Sequence, residues 1–414
     1  MNRVIIIGNG FDKAHGLATG YRDFIDSYWT NFSTQAFKGY RYRSFGAEFG
    51  PIFTPRPYVD ELVSFEEISD RRRCMSLKEK LMLRDNVCTR YFWSEIRKWP
   101  SIPYEKVRCT IALLNKINDK VHVGSVSLTF KNKFFEHISG RSSLTNWVDI
   151  ENEYYGKLKG LLAEDDSDIR NEKVRALNQD FDAVKKRLES YLTQVIKETQ
   201  IEPILSIREA FSTLITTDEL ACGKQKIYFD HILNNKSHDS IILNFNYTQT
   251  AKQLYAKDKY EIINIHGELG NRQNPIIFGY GDELDDDYKR IEKLQDNDFL
   301  ENIKSVRYHE TDNYRRILGL IESEDYQVVI MGHSCGNSDR TLLNTLFEHP
   351  NCISVKVFYH QLEDGTDNYS DLIRNLSRNF NDKVAMRDKV VNKKYCLPLV
   401  PIPADEKQEL PNKE

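Results

Sequence analysis

Three polar side chains that can do chemistry each follow a short apolar run of this 414-residue chain. Asp12 comes after the first run, and Asn246 and His266 follow later ones. A carboxylate can stabilise positive charge, an amide can hold a hydroxyl or a water molecule, and a histidine can accept a proton near neutral pH. Each also fits a structural role: a helix cap for Asp12, an Asx turn for Asn246 and a buried histidine for His266.

A glycine turn follows the first run. The run Arg3–Ile7 contains four consecutive β-branched residues, Val4–Ile7, and stops at the turn formed by Gly8 and Gly10. Such a run predicts a central parallel strand, and a tight turn after it is expected to leave backbone N–H groups free to meet an anion. Gly16 comes too late for the Gly-x-Gly-x-x-Gly dinucleotide fingerprint. The turn therefore predicts a phosphate site that is not of the usual hydride-transfer kind.

A second glycine turn, Gly332–Gly336, follows the run Gln327–Met331. Its glycines and Ser334 suit another phosphate-binding turn, and Asp339 is placed to cap the next helix. The letters also match the Gly-x-Ser-x-Gly nucleophile elbow of hydrolases. No acid and histidine follow Ser334 in a suitable context, so the elbow is the lesser alternative.

Three carboxylates, Asp149, Glu151 and Glu153, begin a predicted helix next to Trp147. Negative charge is favoured at a helix N-terminus, and this explains their presence without any chemistry. A role in metal binding or acid–base work is the other interpretation. It would make the protein a metal-dependent nuclease.

The apolar runs predict an α/β fold with a parallel sheet. Between the first run and the later ones, helical spacing at Val148–Leu162 and Asn171–Thr199 predicts a long helical insertion. We therefore expect a discontinuous Rossmann-like core over residues 1–60 and 236–385, a mainly helical insertion over 61–235, and a C-terminal extension over 386–414 with a disordered last dozen residues. The predicted strands are Arg3–Ile7, Ile241–Phe245, Glu261–Ile265, Pro275–Phe278, Gln327–Met331 and Ile353–Tyr359.

The amino-acid composition argues against several classes of protein. The net charge of −4 gives no electrostatic case for a nucleic-acid surface. No apolar run approaches the roughly 20 residues that cross a bilayer, and no signal peptide is recognised. The seven cysteines form no Cys-x-x-Cys pair, which argues against a zinc site or a disulfide framework and fits a reducing cytoplasm. We expect a cytoplasmic protein with no metal, no prosthetic group and no membrane partner.

Taken together, these motifs resemble the AbiH family of bacteriophage abortive-infection proteins. The segment Ile5–Phe24, with its pattern Gly-Asn-Gly-Phe-Asp followed by His-Gly-Leu, is the clearest match. The segments Trp147–Glu151, Asn244–Thr248 and Ile265–Gly267 look like later motifs of the family, as does Gly332–Ser334 with Asp339. The resemblance spans about residues 3 to 360.

The same order of motifs is similar to a distant version of the sirtuin-type (SIR2-like) NAD-binding fold. The resemblance implies that Asn246 holds the nicotinamide ribose or a water molecule, that His266 acts as a base, and that Asp12 is the first carboxylate to test for stabilising the reacting sugar. Thr248 stands where that fold has an aspartate, and the zinc-ribbon cysteines are absent, which argues against protein deacetylation. The residues implied in nucleotide binding are Gly8, Asn9, Gly10, Phe11, Gly16, Thr248, Gly332, Ser334 and Asp339.

The leading hypothesis is a phage-defence NAD hydrolase that yields nicotinamide and ADP-ribose. NAD would be a substrate or ligand. Because NAD loss kills the cell, we expect control by the helical insertion, by a phage trigger or partner defence protein, or by assembly into a homo-oligomer. The alternatives are a sensor that binds NAD or ADP-ribose without turnover, and the metal-dependent nuclease.

Overall fold

The computed structural model describes residues 2–36, 58–68, 125–139, 146–225, 240–256 and 260–402. The chain forms two compact units. The first comprises Met1–Thr19 and Leu192–Glu414, and the second is Gly20–Tyr191. The described strands are β1 (Asn2–Ile7), β2 (Tyr58–Val59), β3 (Val63–Ile68), β4 (Ser125–Phe130), β5 (Ser240–Asn244), β6 (Glu261–Asn264), β7 (Tyr326–Met331) and β8 (Cys352–Phe358).

The first unit is built on a five-stranded sheet in the order β6-β5-β1-β7-β8. All four neighbouring pairs are parallel. Ranked by their order along the chain, these strands run 3-2-1-4-5, which is the doubly wound order of nucleotide-binding folds. In such sheets the ligand crevice opens where the winding reverses, here at the carboxyl ends of β1 and β7.

Both faces of this sheet are covered, which explains the unbroken apolar sequence of β1. Val4 and Ile6 pack into one hydrophobic cluster, and Ile5 and Ile7 pack into another on the opposite face. All four side chains are fully buried. A strand with this burial needs apolar residues at every position rather than at alternate ones.

Short helices connect the strands of the first unit, and longer ones dominate the second. The described helices are α1 (Asn9–Ala14), α2 (Tyr21–Ala36), α3 (Lys133–Ser139), α4 (Trp147–Gly160), α5 (Ser167–Glu198), α6 (Leu205–Ser212), α7 (Thr250–Tyr255), α8 (Asp286–Lys293), α9 (Lys304–Arg307), α10 (Asn313–Ser323), α11 (Arg340–Glu348), α12 (Tyr369–Asn379) and α13 (Lys383–Lys389). No helix among the described residues is both long and apolar enough to span a bilayer.

The α/β class and the helical insertion are confirmed. Helices α4 and α5 agree with the predicted ones. Strand β3 pairs with β2 on one side and β4 on the other in a small antiparallel sheet that the sequence did not predict. Of the expected insertion, residues 69–124, 140–145 and 226–235 lie outside the described residues.

Five of the six predicted strands are present, and the sixth, Pro275–Phe278, is wrong. The backbone of this segment forms hydrogen bonds with the loop after β6 and does not add a strand to the side of the sheet. The N–H of Ile277 donates to the carbonyl of His266 at 2.8 Å, and that of Glu268 donates to Asn274 at 2.9 Å. Buried apolar side chains therefore marked a packed loop and not a strand.

The extension after residue 385 packs along β8 through residue 402. The N–H of Val391 donates to the carbonyl of Val355 at 2.9 Å, and that of Leu399 donates to Tyr359 at 2.8 Å. The last dozen residues, for which disorder was predicted, lie outside the described part of the chain.

Candidate functional site

The turns after β1 and β7 press against each other at the point where the sheet's winding reverses. The N–H of Gly10 donates to the carbonyl of Gly332 at 2.7 Å. A Cβ on Gly332 would lie 2.1 Å from the backbone nitrogen of Phe11, and one on Gly8 would lie 2.7 Å from the ring of His333. Glycine is required here because the two backbones touch.

This contact corrects the expectation that the first turn leaves its N–H groups free. Gly10 donates to Gly332, and the N–H of Phe11 donates to the carbonyl of Gly8 at 2.8 Å. Both groups are thus bonded within the chain. The turn is closed by its neighbour rather than open to an anion at these two positions.

The presence of glycine at position 16 is explained by the local backbone structure. It has φ +81° and ends α1, where its N–H donates to Lys13 and that of Leu17 donates to Asp12. This is the Schellman arrangement, which places glycine just after a helix C-terminus. The spacing of Gly16 that departed from the dinucleotide fingerprint is therefore set by the length of α1.

Asn9 and Phe11 also have partners within the first unit. The hydroxyl of Thr19 donates to the side-chain oxygen of Asn9 at 2.5 Å. The ring of Phe11 is fully buried and packs against His15 and Tyr255. Whether either residue contacts a nucleotide stays a prediction.

Asp12 lies in α1, after the turn that follows β1, and its carboxyl group is buried, with 1% of the residue's surface exposed. The Thr248 hydroxyl donates to its Oδ2 at 2.7 Å, and Thr250 donates to Thr248 at 3.1 Å. Oδ1 has no hydrogen-bond partner. Burial raises the pKa of Asp12 to about 7, although the hydrogen bond from Thr248 and the nearby polar side chains of Thr250 and Asn246 act in the opposite direction. Asp12 can therefore exchange a proton near neutral pH.

Asn246 links the end of β5 to the turn after β1. Its side-chain amide donates to the carbonyl of Gly8 at 3.0 Å, and its backbone N–H donates to Asn244 at 2.9 Å. The second bond is an Asx turn, which was the structural alternative for this motif. The first brings Asn246 to Gly8, whose neighbour across the turn is His333.

His266 lies in a buried polar cluster at the end of β6. Its Nε2 is 3.3 Å from Oδ1 of Asp339 and 3.2 Å from the hydroxyl of Tyr308. The Nζ of Lys304 lies 2.7 Å from the same Asp339 oxygen. An Nε2 that carries the proton can donate to the carboxylate, which leaves Nδ1 as the nitrogen that can accept a proton.

The pKa values of this cluster diverge. Burial, reinforced by the charge of Lys304, lowers the pKa of His266 to about 4. Burial alone would raise the pKa of Asp339, but Lys304 and His266 outweigh it and hold the pKa well below its usual value. At neutral pH the cluster therefore contains a neutral imidazole beside an ionised carboxylate and an ammonium group.

His333 adds a second imidazole on the other side of Asp339. The N–H of Cys335 donates to its Nδ1 at 3.0 Å, so Nε2 carries the proton and points to Oδ2 of Asp339 at 3.5 Å. The ring of Phe245 lies between the two imidazoles, with its centroid 4.9 Å from that of His266 and 4.3 Å from that of His333.

The turn after β7 does not form a nucleophile elbow. Ser334 is exposed, and its carbonyl accepts a hydrogen bond from Asn375 at 2.7 Å. The left-handed backbone falls on Cys335, with φ 54°, and burial raises the pKa of its thiol. A buried, protonated thiol is a poor nucleophile, so neither residue fits an elbow.

The carboxylates of the second unit have structural partners. Asp149 forms a capping box with Asn146 at the start of α4, and Glu153 lies 2.7 Å from His137. Glu151 is buried in the same helix. Within the described residues, no group of three or more His, Cys, Asp or Glu side chains is arranged to hold a metal ion.

The structure forms two groups from the predicted residues: Asp12 with Asn246 and Thr248, and His266 with Asp339. Asn246 of the first group and His333, which lies beside the second, both approach Gly8. Asp339 does not cap α11 with its side chain, as the sequence predicted, but lies against His266. Sequence reasoning missed Lys304, Tyr308 and His333. Only His333 had a signal, its position two residues after the end of β7.

Comparison with known proteins identifies the family. The sequence model described as "Bacteriophage abortive infection AbiH" matches residues 4–361. No curated protein and no solved structure matches the chain.

Proposed function

Because the chain belongs to the AbiH family and has a role in bacteriophage abortive infection, we propose that it acts by hydrolysing NAD to nicotinamide and ADP-ribose. The reaction is assigned to the edge of the parallel sheet where β1, β5 and β6 end. Ligands of doubly wound sheets bind at this edge, and the order of the motifs is similar to that of SIR2-like NAD-binding proteins.

The observation that carries the proposal is the set of polar side chains after three neighbouring strands. Asp12 follows β1, Asn246 follows β5 and His266 follows β6. Asp12 has one carboxyl oxygen without a partner although it is buried, and His266 is neutral at physiological pH. A buried group without a partner is costly unless a ligand supplies one.

In the proposed reaction the bond between C1′ of the ribose and the pyridinium nitrogen breaks. Its electron pair goes to the nitrogen, and nicotinamide leaves uncharged. Asp12 in its ionised form stabilises the positive charge that develops on the sugar. Asn246 orients the attacking water, whose oxygen bonds to C1′, and its proton passes to His266 and then to solvent.

The test is incubation of the full-length protein with NAD, alone and with extract from phage-infected cells, while nicotinamide and ADP-ribose are quantified. Extract is included because activity has to stay silent before infection. We expect His266→Ala and Asn246→Ala to abolish product formation and phage protection. His309→Ala removes an exposed histidine of the same unit and serves as the matched control. The proposal fails if no condition releases nicotinamide and His266→Ala protects as well as the wild type.

A second candidate is a sensor that binds NAD or ADP-ribose without turnover. It is favoured by Thr248, whose hydroxyl is committed to Asp12 in the position where SIR2-like proteins carry an aspartate. Calorimetry separates the two functions. Saturable binding of NAD with no nicotinamide released under any condition favours the sensor.

A further inference from the structure

A buried ion pair that the sequence did not reveal lies beside His266. The Nζ of Lys304 is 2.7 Å from Oδ1 of Asp339, and the two side chains are 1% and 7% exposed. The same Nζ lies 3.4 Å from the hydroxyl of Ser338. An ammonium group is rarely buried to this degree unless its charge is compensated.

The backbone around Lys304 holds the ammonium group in this place. The N–H of Lys304 donates to the carbonyl of Tyr280 at 2.8 Å. A Cβ on Gly279 would lie 2.0 Å from the carbonyl oxygen of Asn302, and one on Gly281 would lie 3.1 Å from Cβ of Lys304. The segment that carries Lys304 therefore packs directly on the segment from Gly279 to Gly281.

Within the described part of the chain, charged and titratable side chains face His266 from several elements. They come from α9, from the turn after it, from the turn after β7 and from the turn before α11, and are Lys304, Tyr308, His333 and Asp339. Among them Asp339 is the single anion and Lys304 the single permanent cation. With both present, the cluster has no net charge when His266 is neutral.

We propose that Lys304 is a positioning residue that serves as the counter-ion of Asp339 and thereby keeps His266 uncharged. The consequence for catalysis rests on the proposed function, because a neutral His266 is needed to accept the proton of the attacking water. The effect on the charge of His266 stands independently of any substrate.

The proposal makes two predictions of opposite sign. Without Lys304, the buried Asp339 carboxylate needs another cation, and His266 is the nearest group that can supply one by taking a proton. Lys304→Met is therefore expected to raise the titration midpoint of His266. Asp339→Asn removes the anion and leaves Lys304 in place, so it is expected to lower that midpoint further.

The experiment is an NMR titration of ¹⁵N-labelled histidine in the full-length protein, from pH ~8 to pH ~5, with His266 assigned by its loss in His266→Gln. In the wild type His266 stays neutral over this range. In Lys304→Met the midpoint rises by about 1 to 3 units, the size of shift that a neighbouring charge produces. Lys304→Arg keeps the positive charge and is expected to keep the wild-type behaviour.

The matched control is Lys356→Met, which breaks a comparably buried pair between Lys356 of β8 and Glu219, at 2.8 Å. It should leave His266 neutral. An unchanged midpoint in Lys304→Met, or an equal rise in Lys356→Met, overturns the proposal. If Lys304→Met does not fold, Asp339→Asn replaces it as the test. Protonation of His266 between pH ~8 and pH ~5 in that variant also overturns the proposal.

The pH profile of NAD hydrolysis separates this proposal from the proposed function. If Lys304 acts as proposed and NAD is the substrate, the acid limb of kcat/KM, which reports groups of the free enzyme, moves to higher pH in Lys304→Met by the same amount as the NMR midpoint. A shifted NMR midpoint in a protein that releases no nicotinamide refutes NAD hydrolysis and leaves the role of Lys304 intact.

Discussion

Replacement of Gly332 by alanine tests the contact between the turns after β1 and β7. Gly332 has φ +72°, and its new Cβ would lie 2.1 Å from the nitrogen of Phe11 and 2.6 Å from the carbonyl carbon of Gly10. Ordinary contact begins at 3.4 Å, so the turns must separate by more than an ångström. Both neighbouring atoms belong to the backbone and cannot rotate away.

Three costs add in this variant. The left-handed backbone costs a residue with a Cβ about 1 kcal/mol, and separation of the turns weakens the 2.7 Å hydrogen bond from Gly10, a loss of about 1 kcal/mol. Forcing extra volume into a packed site costs a further 1 to 3 kcal/mol or so. We expect Gly332→Ala to lower the free energy of unfolding of the first unit by ~3 to 5 kcal/mol.

Gly365→Ala is the matched control. Gly365 has φ +82°, is exposed, and has no atom within 4 Å of the position of a Cβ. It carries the same backbone strain without the clash, so its cost should be ~1 kcal/mol.

The assay is urea unfolding combined with hydrogen exchange of peptides from β1 and β7. Tryptophan fluorescence is unsuitable because all four tryptophans lie between residues 20 and 191 of the sequence. The reasoning is refuted if the two alanine variants lose equal stability, because backbone strain would then account for the whole effect and the turns would not be in contact.

Three further predictions concern buried polar groups. Asp12→Asn should remove a pH dependence: since the pKa of Asp12 is about 7 in the folded protein and 3.8 without the fold, the wild type loses stability as pH rises through this range. A shift of about three units corresponds to as much as ~4 kcal/mol, so the variant should be the more stable protein in urea at pH ~8, and equal pH dependence in both proteins would contradict this. Lys356→Met removes the lysine partner of the buried Glu219 carboxylate, to which Gln327 still donates at 2.9 Å, and should cost ~3 to 5 kcal/mol. Lys393→Met, at a pair whose lysine is 53% exposed, should change stability by less than ~1 kcal/mol; similar losses in urea would show that burial does not set the cost. Tyr255→Phe removes the hydroxyl that bonds both His15 at 2.8 Å and the N–H of Ile204 at 3.0 Å, and a thermal unfolding scan should show a loss of ~1 to 3 kcal/mol; no change in the midpoint would mean that water replaces the hydroxyl.

The sequence supported the fold better than it supported the site. An unbroken run of β-branched residues is typical of a parallel strand that is covered on both faces. For this reason Arg3–Ile7 and the later runs could be predicted as strands. Pro275–Phe278 is also a short apolar run but pairs with a loop, because burial of apolar side chains does not specify which backbone provides the hydrogen bonds. The local hydrophobic pattern of the sequence indicates which side chains are buried, whereas the pairing of a strand depends on segments that are distant in the chain.

In the candidate site, too, some residues could be predicted from the sequence and others could not. Asp12, Asn246 and His266 could be singled out because each follows a strand, and in a parallel sheet the ends of strands share one edge. The roles of Gly16 and Asp339 could not be inferred in this way. Gly16 ends α1, and Asp339 turns toward His266 instead of capping a helix.

By itself, the sequence determined the α/β class, the edge of the sheet that carries the polar side chains, and the family. Only the tertiary structure decided that the turns after β1 and β7 close on each other and that Lys304 neutralises Asp339 beside His266. The physical reason is that strand formation follows from residues adjacent in the chain. The charge of a buried imidazole, in contrast, depends on groups that lie tens of residues away and meet only when the chain folds.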